Sequence, residues 1–100
     1  MEIQVRKEGD TVYVKPEDEI HFDNYRGVEQ KILEEIDAGA SEIVLDLTNV
    51  TTLYSMTLGM FNKIAANISE KGGKFALTNI NSDIRKVLKA TRLDKIIAVK

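Results

Sequence analysis

One stretch, Ile43 to Phe61 (IVLDLTNVTTLYSMTLGMF), limits what this chain can fold into, because its hydrophobic period changes midway. It opens with Ile43-Val44-Leu45, continued by Leu47 beyond Asp46. A short apolar run rich in β-branched residues reads as a strand buried on both faces. Polar residues follow, Thr48-Asn49 and then Thr51-Thr52. Leu58, Phe61, Ile64, Ala65 and Ile68 then recur at steps of three and four, the spacing of an amphipathic helix. Ser55 stands where that helix should begin, placed to accept from the N–H of Thr57 or Leu58 as a cap. The same N–H groups and the helix dipole favour an anion. The turn could therefore start a helix and nothing more, or hold a phosphate.

The flanking sequence supplies the other elements. Ile3, Val5 and Lys7 alternate with polar residues up to Gly9-Asp10, and Val12 and Val14 alternate up to Pro16, which together read as a hairpin. Proline ends the second strand because it donates no ladder hydrogen bond. Glu17 to Asn24 is a loop holding the only histidine, His21. Asp23 or Asn24 can cap a helix running to about Asp37, with Val28, Ile32 and Ile36 inward and Tyr25 and Leu33 broadening the stripe. Glu29, Gln30, Lys31, Glu34 and Glu35 are expected on its wet face. Gly39 and Gly72-Gly73 stop the first two helices. Lys74 to Thr78 is a strand, and Asn81 or Ser82 caps a third helix with Ile84, Val87 and Leu88 inward. Ile96, Ile97 and Val99 form a last short strand or an extended tail. The order β-β-α-β-α-β-α-β implies a largely parallel sheet with the first strand antiparallel at an edge.

A chain of 100 residues, 43% hydrophobic and 30% charged, supports one domain spanning residues 1–100. A net charge of −2 with interspersed signs gives no basic surface for nucleic acid and no polybasic membrane patch. There is no cysteine, which excludes disulfides and thiolate chemistry and suits the cytoplasm. No apolar run reaches the roughly 20 residues of a membrane span, and the strand-like start leaves no room for a signal peptide.

The segment around Ser55 resembles the signature of STAS domains, particularly the small bacterial anti-sigma-factor antagonists. Their pattern is an apolar strand ending Asp- or Asn-Leu, about six residues of loop, then Asp-Ser-Ser/Thr-Gly-Leu-Gly. Here Asp46-Leu47 is followed by Tyr54-Ser55-Met56-Thr57-Leu58-Gly59. Ser55 falls on the family's phosphorylated serine without a gap, and Leu58 and Gly59 also match. Tyr54 replaces the acid before that serine, Met56 the second hydroxyl residue, and Thr57 the glycine. Thr91-Arg92-Leu93-Asp94-Lys95-Ile96-Ile97 matches the closing Ser-Gly-Leu-x-x-Ile-Ile, with Arg92 for glycine, so the resemblance covers the whole chain. It implies a four- or five-stranded sheet with helices mainly on one face.

By that resemblance the protein is a cytoplasmic, non-enzymatic antagonist that binds an anti-sigma kinase when unphosphorylated and releases it when Ser55 is phosphorylated, with Thr57 the runner-up acceptor. His21, Asp46 and Tyr54 are the expected neighbours of the site. His21 is either a solvated loop residue or a pH-sensitive neighbour of the phosphate. Asp46 either influences that charge or pins the loop. Met56, Met60 and Lys63 are offset from the apolar stripe; the methionines either fill gaps in the core or, with Lys63, form the candidate partner surface. Two other readings stay open: a STAS scaffold or accessory subunit with Ser55 a plain cap, and a nucleotide- or lipid-binding module. His21, Asp46 and Ser55 have the residue types of a hydrolase triad, but there is no Gly-x-Ser-x-Gly elbow and no identifiable oxyanion hole. One histidine, no cysteine and no glycine-rich phosphate loop give no metal site and no cofactor.

Overall fold

The structure, a computed structural model, describes residues 1–100. Strands β1 (Ile3–Glu8) and β2 (Thr11–Pro16) form the expected hairpin, turning at Gly9 with φ +60°. Then come α1 (Tyr25–Asp37), β3 (Glu42–Asp46), α2 (Ser55–Glu70), β4 (Lys74–Thr78) and α3 (Ser82–Ala90). A single 3-10 turn over Leu93–Lys95 leads to β5 (Ala98–Val99). Spatial order follows chain order, β1-β2-β3-β4-β5, with β1 antiparallel to β2 and every other pairing parallel.

The register explains the pattern of burial. Val12, Ile43 and Phe75 share one row across the sheet, and Val14, Leu45 and Leu77 share the next but one. All six belong to the same apolar core as Val28, Ile32 and Ile36 of α1, Phe61, Ile64 and Ile68 of α2, and Ile84 and Leu88 of α3. The helices therefore cover this face. Val44 and Ala76, on the alternate row with Tyr13, are buried but lie outside that core, and Arg6 stacks on the Tyr13 ring at 4.1 Å.

Three expectations need correcting. Met60 is 2% exposed and part of the core, because it lies on the inner side of α2 beside Phe61 and Ile64, so it cannot meet a partner. Glu35 does not lie on a wet face. It is 7% exposed and paired with Lys7 at 3.1 Å and Lys31 at 3.4 Å, tying α1 to β1. Ile96 does not extend the last strand; it follows the 3-10 turn and is 55% exposed, while Ile97 is buried.

Arg92 is left-handed with φ +62°, a conformation that costs a side-chain-bearing residue about 1 kcal/mol. Of the Gly72-Gly73 pair, Gly72 supplies the positive φ of 77° that stops α2. Gly73 is needed for space: a Cβ there would stand 2.7 Å from Ile68 Cγ1 and 2.7 Å from the Ser41 carbonyl oxygen. Gly73→Ala is expected to destabilise the domain by about 1–3 kcal/mol through overpacking. Thermal melts should show the midpoint falling by about 4 °C or more.

Candidate functional site

Parallel strands β2, β3 and β4 end on the same side of the sheet, so the loops that leave them, residues 17–24, 47–54 and 79–81, gather there. Side chains lock these loops together. The Asp46 carboxylate accepts from the Thr48 N–H at 2.9 Å, from the Thr48 hydroxyl and from Asn79 Nδ2 at 3.1 Å. Of the two roles open for Asp46, pinning the loop is the one its bonds serve. Glu19 reaches across 32 residues to accept from the Thr51 N–H at 2.8 Å and from the Thr51 hydroxyl. Asn49 donates to the Pro16 carbonyl at 3.1 Å. Asn81 donates to the Thr51 carbonyl at 3.0 Å while its Oδ1 caps α3 by accepting from the Ile84 N–H at 2.7 Å. Thr51 is thus gripped from both neighbouring loops, four residues before α2 begins.

At the start of α2 the expected cap is not the one observed. Tyr54 is the N-cap, and its backbone carbonyl accepts from the N–H groups of Thr57 at 3.0 Å and Leu58 at 3.1 Å. Ser55 is the first helical residue, exposed, and its hydroxyl bonds to nothing in the protein. The N–H groups of Ser55 and Met56 also lack protein acceptors, and no acid lies in the first turn to offset the dipole. Thr57, the alternative acceptor, is fully buried with its hydroxyl unpaired, so no kinase can reach it. An orphaned buried hydroxyl costs about 1–3 kcal/mol.

The remaining candidates divide by location. Tyr54 is 46% exposed beside Ser55. Met56 is half-buried, and exposed Lys63 pairs with Glu29 at 3.1 Å, bridging α2 to α1. His21 makes its hydrogen bonds within its own loop, its Nδ1 accepting from the Asp23 N–H at 3.4 Å. No hydrogen bond joins His21, Asp46 and Ser55, so they form no triad. Asn24 holds the N-cap position before α1, but its amide turns back to Glu19 and His21 instead of capping forward. No three His, Cys, Asp or Glu side chains gather as a metal site, and no helix is long and apolar enough to cross a membrane.

Sequence reasoning missed Glu19 and Asn81 as the residues that hold the turn, since nothing in a polar loop shows which side chain reaches another loop. It also passed over Phe22, 76% exposed at the tip of the 17–24 loop. A lone aromatic in a run of acids was the available signal.

The STAS domain family matches residues 2–100 of this chain, and the chain belongs to that family. It is 32% identical over 91 residues to the "Putative anti-sigma factor antagonist" of Thermotoga maritima, covering 90% of this chain and 80% of that one. The crystal structure of a putative anti-sigma factor antagonist from Thermotoga maritima superposes with a TM-score of 0.90 at 30% identity, covering 97% of this chain and 84% of the other. A Thermotoga neapolitana homologue is 31% identical over the same share of each chain. The fold is also that of SpoIIAA in its unphosphorylated form, with a TM-score of 0.82 at 19% identity over 99% of this chain and 88% of SpoIIAA. The Thermotoga relatives carry the name of a regulator, not of an enzyme.

Burial works to raise the carboxyls of Glu19, Glu35 and Asp46, but their partners outweigh it and hold all three below the ordinary carboxylate range. The opposing causes are the Thr51 and Thr52 hydrogen bonds for Glu19, Lys7 and Lys31 for Glu35, and Thr48, Asn79 and Lys15 for Asp46. Because the folded values are depressed, the stability they contribute is fully present above the range where unfolded carboxylates titrate. It is lost as pH falls through the folded values. Melting midpoints should be flat from neutrality to about pH 5 and fall below it. Glu19→Gln should lose about 1–2 kcal/mol at pH 7 and show a shallower acid decline, as measured by denaturant titration at each pH.

Proposed function

We propose that this protein is an anti-sigma factor antagonist that binds an anti-sigma serine kinase when unmodified and is released when Ser55 is phosphorylated. The observation that carries this reading is the unbonded, exposed Ser55 hydroxyl on the first turn of α2. The match to the STAS family and the names of the Thermotoga relatives support the same reading. The main chain closes that turn, so the hydroxyl can be modified without removing a cap.

A phosphate at Ser55 adds about −1.5 to −2 charge and three acceptor oxygens. The helix N-terminus, with its free N–H groups and no resident acid, favours that charge, so the domain stays folded. A partner seated on the same turn meets a bulky anion where it had met a small hydroxyl and loses its fit. The antagonist thereby works as a partner switch: binding the kinase frees a sigma factor, and phosphorylation reverses it. Tyr54, in place of the family's acid, would present the partner with an aromatic ring.

Incubation with the cognate kinase and ATP, read by intact mass, tests the reading. One phosphate is expected on the wild type and on Thr57→Ala, and none on Ser55→Ala. Ser55→Ala should melt within about 0.5 kcal/mol of the wild type, because its hydroxyl holds nothing. Absence of phosphate from the wild type would favour the scaffold reading instead.

A further inference from the structure

We infer that the outer side of α3 and the 3-10 turn after it form a cationic face that docks the domain on an anionic phospholipid surface, with Ile96 as the apolar contact. The inference is independent of the Ser55 reading.

The net charge of −2 conceals a division of charge within the fold. Residues 82–100 carry six lysines and arginines against two acids, Asp83 and Asp94. Lys100 pairs with Glu42 at 3.0 Å. The other five, Arg85, Lys86, Lys89, Arg92 and Lys95, are all exposed and join no ion pair. On α1 the reverse holds, since Glu29, Glu35 and Asp37 are each matched by a lysine from another element or loop. The cationic face is continuous. Lys74, Lys95 and Ile96 line one cleft of about 300 Å³, Arg85 and Lys89 line another of about 330 Å³, and Asp94 lines both. From the Ser55 end of the sheet, where Asn81 is tied to Thr51, α3 runs back toward the start of β4. Lys95 and Ile96 therefore lie beside Lys74, away from Ser55, and the α2 turn stays open when this face is docked.

Three observations select a lipid surface as the occupant. Ile96 is 55% exposed on this face, while its N–H donates to the Leu93 carbonyl at 3.1 Å and fixes the backbone beneath it. One apolar side chain among cations matches anionic headgroups lying over hydrocarbon. Secondly, the cations sit on long side chains that no ion pair holds still. A protein or nucleic-acid duplex, whose charges stand at fixed points, must order each of them and loses affinity in doing so. A fluid headgroup layer acts through its surface potential and needs no fixed pairing, and clusters of roughly four to eight Lys and Arg on an amphipathic helix suit it. Thirdly, no aromatic residue follows Phe75, so the bases of a single strand have no ring here to stack on.

The test is sedimentation of the purified protein with vesicles of mixed phosphatidylglycerol and phosphatidylcholine, against vesicles of phosphatidylcholine alone. Wild type is expected to sediment with the anionic vesicles only, and to be released as salt rises toward about 0.5 M. Lys89→Gln combined with Lys95→Gln should weaken binding about ten-fold or more with an unchanged melting midpoint. Arg26→Glu, exposed on α1, changes the net charge by the same amount and should stay within about two-fold of wild type. Ile96→Ser should bind about three-fold or more weakly. Failure of the wild type to sediment with anionic vesicles, or equal sedimentation with phosphatidylcholine alone, would overturn the inference. So would an equal loss in Arg26→Glu and the double glutamine variant, which would make net charge and not this face the cause. An Ile96→Ser variant that binds like wild type would overturn the role given to Ile96. Tighter binding to duplex DNA or to polyglutamate than to the anionic vesicles, lost in the double variant, would assign the face to another occupant and overturn the inference.

Discussion

Everything at the working end of this domain depends on β3 being bonded in parallel on both sides. Parallel neighbours cannot be joined by tight turns, so each connection must climb over the sheet as a helix and return. The loops leaving β2, β3 and β4 are consequently delivered to one end, and the helices that carry the chain back supply the apolar cover for one face. Ile43 and Leu45 make this possible, since their rows continue through Val12 and Val14 on one side and Phe75 and Leu77 on the other. The position of α2 relative to its neighbours is set by that core.

Bringing loops together does not order them. Here the ordering comes from polar side chains whose carboxylates or amides bond backbone and side-chain groups within and between these loops. Glu19 and Asn81 grip Thr51 from opposite sides, Asn49 holds the end of β2, and Asp46 closes the first turn after β3. Carboxylates used this way are kept ionised by the hydrogen bonds they accept, so the same contacts that shape the turn make it sensitive to acid. The exposed aromatics Phe22 and Tyr54 sit on segments held in this manner, one on each of two adjoining loops.

Much of this architecture was legible in the sequence because its signals are periodic. The switch from a continuous apolar run at Ile43 to a three-and-four spacing after Leu58 gave the strand and helix, and alternation gave the hairpin. Asn81 as a cap and the left-handed need at Arg92 could also be anticipated, the first from residue type and the second from the family's glycine. What could not be read were choices between equivalent local options. Ser55 and Tyr54 compete for the cap, and a carbonyl every residue carries did the capping. Met60 falls between stripe and surface on a helical wheel, and only the width of the core decides that it goes inside. Glu35 looks like one more surface acid until Lys7, 28 positions earlier in the chain, is brought over it.

Because the Tyr54 main chain closes α2, the side chain at position 55 is spared any part in holding the helix together. Substituting or derivatising that residue alters the outline presented to solvent and leaves the interior untouched. Were Ser55 to carry the proposed phosphate, turnover of that form would depend on the enzymes that add and remove it and not on unfolding of the domain. Such a mark could then be added and erased many times on one folded chain.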